Sequence, residues 1–288
     1  MKTTSGVLVL GASGMLGHAV MRVLTQVPDL SVAGTVRSEH ALRLMPEYLR
    51  DQVVVGVDVT NPDCLTQLFG SVRPGVVINC VGLVKQLAQC EDPLVTIPIN
   101  SLLPHRLAHL CNAAGARLIH VSTDCVFSGT KGMYRDDEPS DAKDLYGRSK
   151  YLGEVDYPWA VTLRTSIIGH ELGSAHGLVG WFLGQSGPVK GYTRAIFSGF
   201  PTVEFARIVR DFVIPNPEIH GVHNVSSMAI SKFDLLQLIS SAYGRTTRIV
   251  PDDSVIIDRS LDSSRFCAVT GYSPPPWSEL VRNMEEFR

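Results

Sequence analysis

The segment Val7-Leu8-Val9-Leu10-Gly11-Ala12-Ser13-Gly14-Met15-Leu16-Gly17 constrains this chain more than any other. A short apolar run breaks at Gly11, and glycines recur at Gly14 and Gly17. An amphipathic stretch comes next and reads as a helix over Met15–Val27. A nucleotide pyrophosphate needs this arrangement. Gly11 permits the tight turn, Gly14 lets the backbone approach the phosphates, and Gly17 allows close packing of helix on strand. The backbone along Ser13, Met15 and Leu16 then offers unpaired N–H groups and the positive end of a helix dipole to an anion. The plain alternative is a strand–turn–helix with incidental glycines.

The rhythm of the first half of the chain favours the nucleotide reading. Apolar runs short enough to be buried strands recur at Gly6–Leu10, Leu30–Val36, Gln52–Val57, Gly75–Cys80, Arg117–Val121 and Trp159–Leu163. Helical spacing separates them at Glu39–Leu44, Pro62–Gly70, Ser101–Ala114 and around Tyr146–Glu154. This alternation predicts an α/β Rossmann fold: a doubly wound parallel sheet with helices on both faces. After about residue 165 the rhythm loosens. Helices are expected over Thr202–Val213 and Lys232–Tyr243, with a short last one near Ser278. Residues 1–165 therefore read as an NAD(P)-binding Rossmann domain with a returning segment near 195–214. Residues 166–288 read as a smaller, discontinuous substrate-binding lobe, with no linker between them.

Composition closes off other classes. With 288 residues, 44% of them hydrophobic and 19% charged, the chain can bury a substantial core. A formal net charge of -2 provides no global attraction to nucleic acid or an anionic membrane. The apolar stretches, such as Val76–Val84, fall short of the roughly 18–20 residues that span a bilayer. The first apolar run ends in glycines rather than a cleavage site, so a signal peptide is not expected. The six cysteines show no CxxC pair and no zinc spacing, which points to free thiols in a reducing cytoplasm. The run Asp136-Asp137-Glu138 is expected to be solvated, and His105 and His109 to be surface or packing residues. No metal is expected.

Four further segments carry chemistry. At the end of the second strand, an acidic residue would accept the adenosine 2′-hydroxyl of NADH. Here the run is Gly34-Thr35-Val36-Arg37-Ser38, where Arg37 can pair with a 2′-phosphate and Ser38 can donate to it. This favours NADPH over NADH. Asp58, with Val59 beside it, can accept from the adenine amino group or serve as a local cap. Tyr146 and Lys150 form YxxxK, which places both on one helical face. An ammonium beside a phenol lowers the phenol's pKa and makes it a usable general acid. Thr123, where a buried strand runs into polar residues, can hydrogen-bond a substrate carbonyl oxygen and share a proton with Tyr146.

Together these motifs resemble the extended short-chain dehydrogenase/reductase superfamily, and within it the dTDP-4-dehydrorhamnose reductase-like group of nucleotide-sugar reductases. The resemblance rests on GASGMLG (Gly11–Gly17), NCVG (Asn79–Gly82), the Asn100 helix, STDCVF (Ser122–Phe127), YGRSK (Tyr146–Lys150) and LRTSIIG (Leu163–Gly169). Leu261-Asp262-Ser263-Ser264 and Trp277 extend it. It implies a Thr123, Tyr146, Lys150 catalytic set and NADPH reduction of a nucleotide-linked 4-keto-6-deoxysugar for surface polysaccharide precursors. Cys80, Val81 and Gly82 would line the nicotinamide side, with Asn100 among the cofactor-binding residues. Val84, Lys85, Thr123, Asp124 and Cys125 would lie near the sugar, and Arg194 could pair with the diphosphate. The partners implied are a nucleotide sugar and a second copy of the chain as homodimer, without nucleic acid or membrane insertion.

Departures from the pattern open alternatives. Cys125 stands where rhamnose-type reductases carry tyrosine and where 4,6-dehydratases need glutamate. It is similar to the cysteine of epimerase/reductases that also use a histidine, so Cys125 and His170 form a candidate epimerising pair. Ile167 replaces a tryptophan common in rhamnose-type enzymes, which turns the expectation towards a UDP-linked N-acetylated 6-deoxysugar. A non-catalytic NADP-binding regulatory subunit is the reading from another class.

Overall fold

The computed structural model describes residues 6–83 and 88–288. Its core is a parallel sheet built from β1 (Val7–Leu10), β2 (Val32–Val36), β3 (Val53–Val55), β4 (Val76–Asn79), β5 (Arg117–Thr123), β6 (Ala160–Thr165) and a further strand, Gly221–Asn224. Among the described residues this sheet has seven strands, in the order β3-β2-β1-β4-β5-β6 and then Gly221–Asn224. The direction of winding reverses between β1 and β4, leaving a crevice beyond their C-terminal ends where α/β sheets bind ligands.

Alternate residues along each strand feed opposite cores. Val7 and Val9 join one core with α1 (Met15–Leu24), α8 (Thr202–Ile208), α9 (Lys232–Ala242) and α11 (Trp277–Glu286). Leu8 and Leu10 join the other with α3 (Pro62–Val72) and α5 (Leu103–Ala113). The remaining helices are α2 (Glu39–Leu44), α4 (Pro93–Thr96), α6 (Leu145–Leu152), α7 (Leu178–Leu183) and α10 (Ser264–Thr270). Three small sheets come after β6: Ile167–Ile168 pairs with Phe200–Pro201, Ala195–Phe197 with Ile230–Ser231 and Ile257–Asp258, and Val189–Tyr192 with Ile249–Asp252.

Several boundaries differ from the sequence reading for identifiable reasons. β5 runs on through Ser122 and Thr123, because both pair with β6, at Arg164 and Thr165. The α1 helix stops at Leu24, where the Thr25 hydroxyl donates to the carbonyl of Met21. The helix expected over Ser101–Ala114 is α5 preceded by a π-helical turn, Ile97–Leu102, in which Leu103 N–H reaches back to Pro98 O. Pro104 has no N–H to give Asn100 O, so the ladder widens there. Thr202–Val213 likewise becomes α8 plus a π-helical turn at Val209–Val213. The last helix is longer than expected, spanning Trp277–Glu286. Among the described residues, no helix is long and apolar enough to cross a membrane.

Candidate active site

The glycine turn opens α1 as its spacing requires. Gly11 has φ 80°, and a Cβ there would meet Val81 Cγ2 at 3.0 Å. A Cβ on Gly17 would collide with the Gly11 carbonyl oxygen. The first helical bond runs from His18 N–H to Gly14 O at 3.0 Å, so the N–H groups of Met15, Leu16 and Gly17 come before the ladder. No side chain caps this helix and no acid stands in its first turn. The positive end of α1 is thus left to an external anion, and the residues fit a bound pyrophosphate.

The other parts of the expected cofactor site fall unevenly. Arg37 and Ser38 come after β2 and are exposed. Ser38 Oγ accepts from Ala41 N at 3.3 Å and caps α2, which leaves Arg37 as the cation at that strand end. Asp58 accepts from Thr60 N and Oγ1 at 2.9 and 2.7 Å, and these bonds, with Arg37 as a further charge, hold its carboxyl below the usual range. Asn61, not Asp58, caps α3. Val59, next to Asp58, stands outside the cleft wall. Cys80, Val81 and Gly82 do line the cleft. Asn100 does not: its amide accepts from Leu83 N at 2.9 Å and donates to Leu83 O and Ser149 Oγ at 3.3 Å each, pinning the loop after β4 to α6. Val84 and Lys85 lie outside the described residues.

The cleft itself, of about 510 Å³, is lined by Gly14, Met15 and Leu16 together with Thr123, Asp124, Cys125, Tyr146 and Lys150. Asp144 caps α6 by accepting from Gly147 N at 2.8 Å, and Gly147 lies against the Cys125 carbonyl, which brings α6 onto the end of β5. Thr123 Oγ1 accepts from Cys125 N at 3.1 Å and donates to Asp124 Oδ1 at 3.2 Å. Lys150 Nζ donates to Val121 O at 2.9 Å, and burial pulls its pKa down to about 8. Burial holds the Tyr146 phenol well above its ordinary range, while the Thr123 hydroxyl beside it acts the other way. Desolvation sets the phenol in this arrangement, and the ammonium rests on a strand carbonyl.

The expected epimerising pair does not form. His170 Nε2 is 2.8 Å from the Tyr243 hydroxyl, among Arg22, Glu285 and Arg288, and takes no part in the cleft wall. Cys125 does line the cleft, but burial and the neighbouring Asp124 push its thiol up to about 12, so it stays protonated. A thiol without a histidine partner is a poor base for C–H abstraction.

Arg194 is also misplaced by the sequence reading. It is exposed, outside the cleft wall, and its carbonyl accepts from Ile257 N. The lobe's cations in the cleft are Lys232, at the start of α9, and Arg259. Both bear on Asp124, whose carboxyl burial raises and these charges lower. Arg259 is anchored by donating Nε–H to Phe127 O at 2.8 Å. The signal for Arg259 was its place just before Leu261–Ser264. Lys232 had none beyond standing at a helix start.

Among the remaining candidates, Asp136 is not solvated as its run suggested. It accepts from Asn224 N, and burial raises its carboxyl. Asp137 pairs with Arg135 and Glu138 with Lys131 at the surface. His105 and His109 pack on the Tyr157 ring. Among the described residues, no group of His, Cys, Asp and Glu is placed to hold a metal ion.

Fold and cleft define the class: a Rossmann-like α/β chain of the extended short-chain dehydrogenase/reductase type, with Thr123, Tyr146 and Lys150 gathered at the end of β5. The profile of the RmlD substrate binding domain matches residues 5–176, and the chain belongs to that family. A probable low-salt glycan biosynthesis reductase of Haloferax volcanii is 34% identical over 180 residues, covering 60% of this chain and 57% of that protein. A dTDP-4-dehydrorhamnose reductase of Streptomyces griseus is 32% identical over 148 residues, covering 51% and 43%. The match thus spans about half the length of these curated relatives. The fold is similar along the whole chain to a crystal structure of dTDP-4-dehydrorhamnose reductase from Bacillus anthracis in complex with NADP, with TM-score 0.81, 19% identity and 100% of both chains covered.

Proposed function

We propose that this chain is an NADPH-dependent reductase that converts a nucleotide-linked 4-keto-6-deoxysugar to its alcohol, in the synthesis of surface polysaccharide precursors. The observation that carries this reading is the convergence of Thr123, Tyr146 and Lys150 on one cleft that the uncapped start of α1 also lines. The names of the Haloferax and Streptomyces relatives and the NADP in the Bacillus structure support it.

A bound nicotinamide supplies hydride. The chain's own residues do the rest. The N–H groups of Met15, Leu16 and Gly17 hold the pyrophosphate, and Arg37 takes the 2′-phosphate. Thr123, its hydroxyl turned from Asp124, and Tyr146 donate to the carbonyl oxygen, and Tyr146 gives up its proton as that oxygen becomes a hydroxyl. Lys150 holds the ribose and offsets the phenolate left behind. Residues 1–165 and the returning chain bind the cofactor, while the lobe from 166 onward brings Lys232 and Arg259 to the sugar nucleotide.

Replacing Tyr146 by Phe tests the reading. NADPH affinity should stay within about twofold while turnover on freshly generated 4-keto UDP-, dTDP- and GDP-sugars falls about 10²–10⁴-fold. Undiminished turnover would exclude Tyr146 as the acid.

A further inference from the structure

Beside the cleft lies an ion pair that none of the proposed steps uses. Glu154 and Arg164 have side chains only 4% and 3% exposed, and Arg164 Nη2 is 2.7 Å from Glu154 Oε2. Arg164 Nε donates to Oε1 at 2.8 Å, which makes the pair two-pronged. Ser122 Oγ donates to the same Oε1 at 2.8 Å. Arg164 Nη1 donates to Asp136 O at 3.0 Å, and the guanidinium carbon lies 5.2 Å from the centre of the Phe127 ring. Phe127 O in turn anchors Arg259.

These bonds fall at consecutive positions along β5. Lys150 holds the carbonyl of Val121, and Glu154, four residues on, holds the hydroxyl of the next strand residue, Ser122. Thr123 comes directly after. The chain end of α6 is thus fastened to β5 at two adjacent residues, immediately before the one that faces the substrate oxygen.

We propose that Glu154 is a positioning residue of this site: its carboxylate, paired with Arg164 on β6 and bonded to Ser122 on β5, fixes the strand end carrying Thr123 and places negative charge one strand residue from the carbonyl on which the Lys150 ammonium rests. The catalytic consequence rests on the reductase reading; the charge relation does not. The groups that bear on Lys150 are the Cys80 thiol after β4, the His120 imidazole on β5 and Glu154; Tyr146, one turn back on α6, and the Asp124 carboxyl share its cleft. Glu154 is the carboxylate among the groups that bear on it. Cys80 and His120 are held neutral by burial, which pushes the thiol up to about 12 and the imidazole well down. Burial acts against the Lys150 charge, and Glu154 is the largest influence in its favour.

The test reads Lys150 directly. In protein labelled with [13C]lysine, its Cε resonance is assigned by loss in Lys150→Met. In the wild type it should titrate near 8. In Glu154→Gln the midpoint should fall by about one unit or more. The alkaline limb of kcat/KM should move down with it. If Glu154→Gln does not fold, Glu154→Asp keeps the charge but withdraws it by one methylene, and should move the midpoint in the same direction. An unchanged midpoint in a folded variant that has only lost thermal stability would make the ion pair structural and overturn the proposal. A wild type that titrates as stated but reduces no sugar would instead sink the reductase reading and leave the charge relation standing.

Discussion

Lys150 shows how one residue carries opposite demands. Its ammonium has a role in the proposed reaction, yet it is 5% exposed and burial lowers its pKa to about 8. The unfolded chain binds that proton up to the ordinary range near 10.5. Below about pH 8 both states are protonated and the native state bears the full cost of burying the charge. As pH rises from 8 towards 10.5, the native state releases the proton first and the cost is relieved. Lys150→Met should therefore unfold at higher denaturant than the wild type at pH 7, by up to about 3 kcal/mol. That advantage should shrink by pH 10, while turnover is lost. A variant less stable at pH 7 would show that the Val121 bond outweighs desolvation. At this scale the sequence was informative about identity and poor about partners. Thr123, Tyr146 and Lys150 were readable because they sit in spaced motifs. Arg194 and His170 were chosen by position along the chain, and folding carried one to the surface and the other to Tyr243.

At the scale of elements, the strands and helices around the glycine turn were legible because apolar spacing reports burial directly. The π-helical turn at Ile97–Leu102 was not. Its cause is a pair of prolines whose effect depends on which carbonyl each leaves unpaired. The Asn100 carbonyl faces the Cα of Gly153, and a Cβ there would collide with it. Gly153 also ends α6, just before Glu154. Gly153→Ala should accordingly push the turn away from α6 and destabilise the fold by about 1–3 kcal/mol, measured by urea unfolding. A neutral effect would mean that the two elements can part without loss. β5 is a related case. Ser122 and Thr123 read as the start of a loop, yet they pair with β6, and that pairing gives the Thr123 hydroxyl a rigid support.

At the scale of the molecule, the site exists because the chain comes back. The strand Gly221–Asn224 joins the sheet beside β6, although Gly-Val-His-Asn has no apolar run to announce it. The loosely patterned second half then brings Lys232, Arg259, Ile196 and Ile257 into the same cleft as Thr123, Tyr146 and Lys150. Such residues come singly from distant segments, so only the folded chain assembles them. What this assembly is proposed to do is deliver hydride to C4 of a nucleotide-linked keto sugar with Tyr146 as proton donor. The most direct measurement uses NADPH carrying deuterium at the transferable position, offered with the 4-keto UDP-, dTDP- and GDP-sugars. One deuterium should appear at C4 of the product, and none should be gained from deuterated solvent at C3 or C5. Deuterium absent from C4 with product formed, or solvent label at C3 or C5, would contradict the proposed reaction.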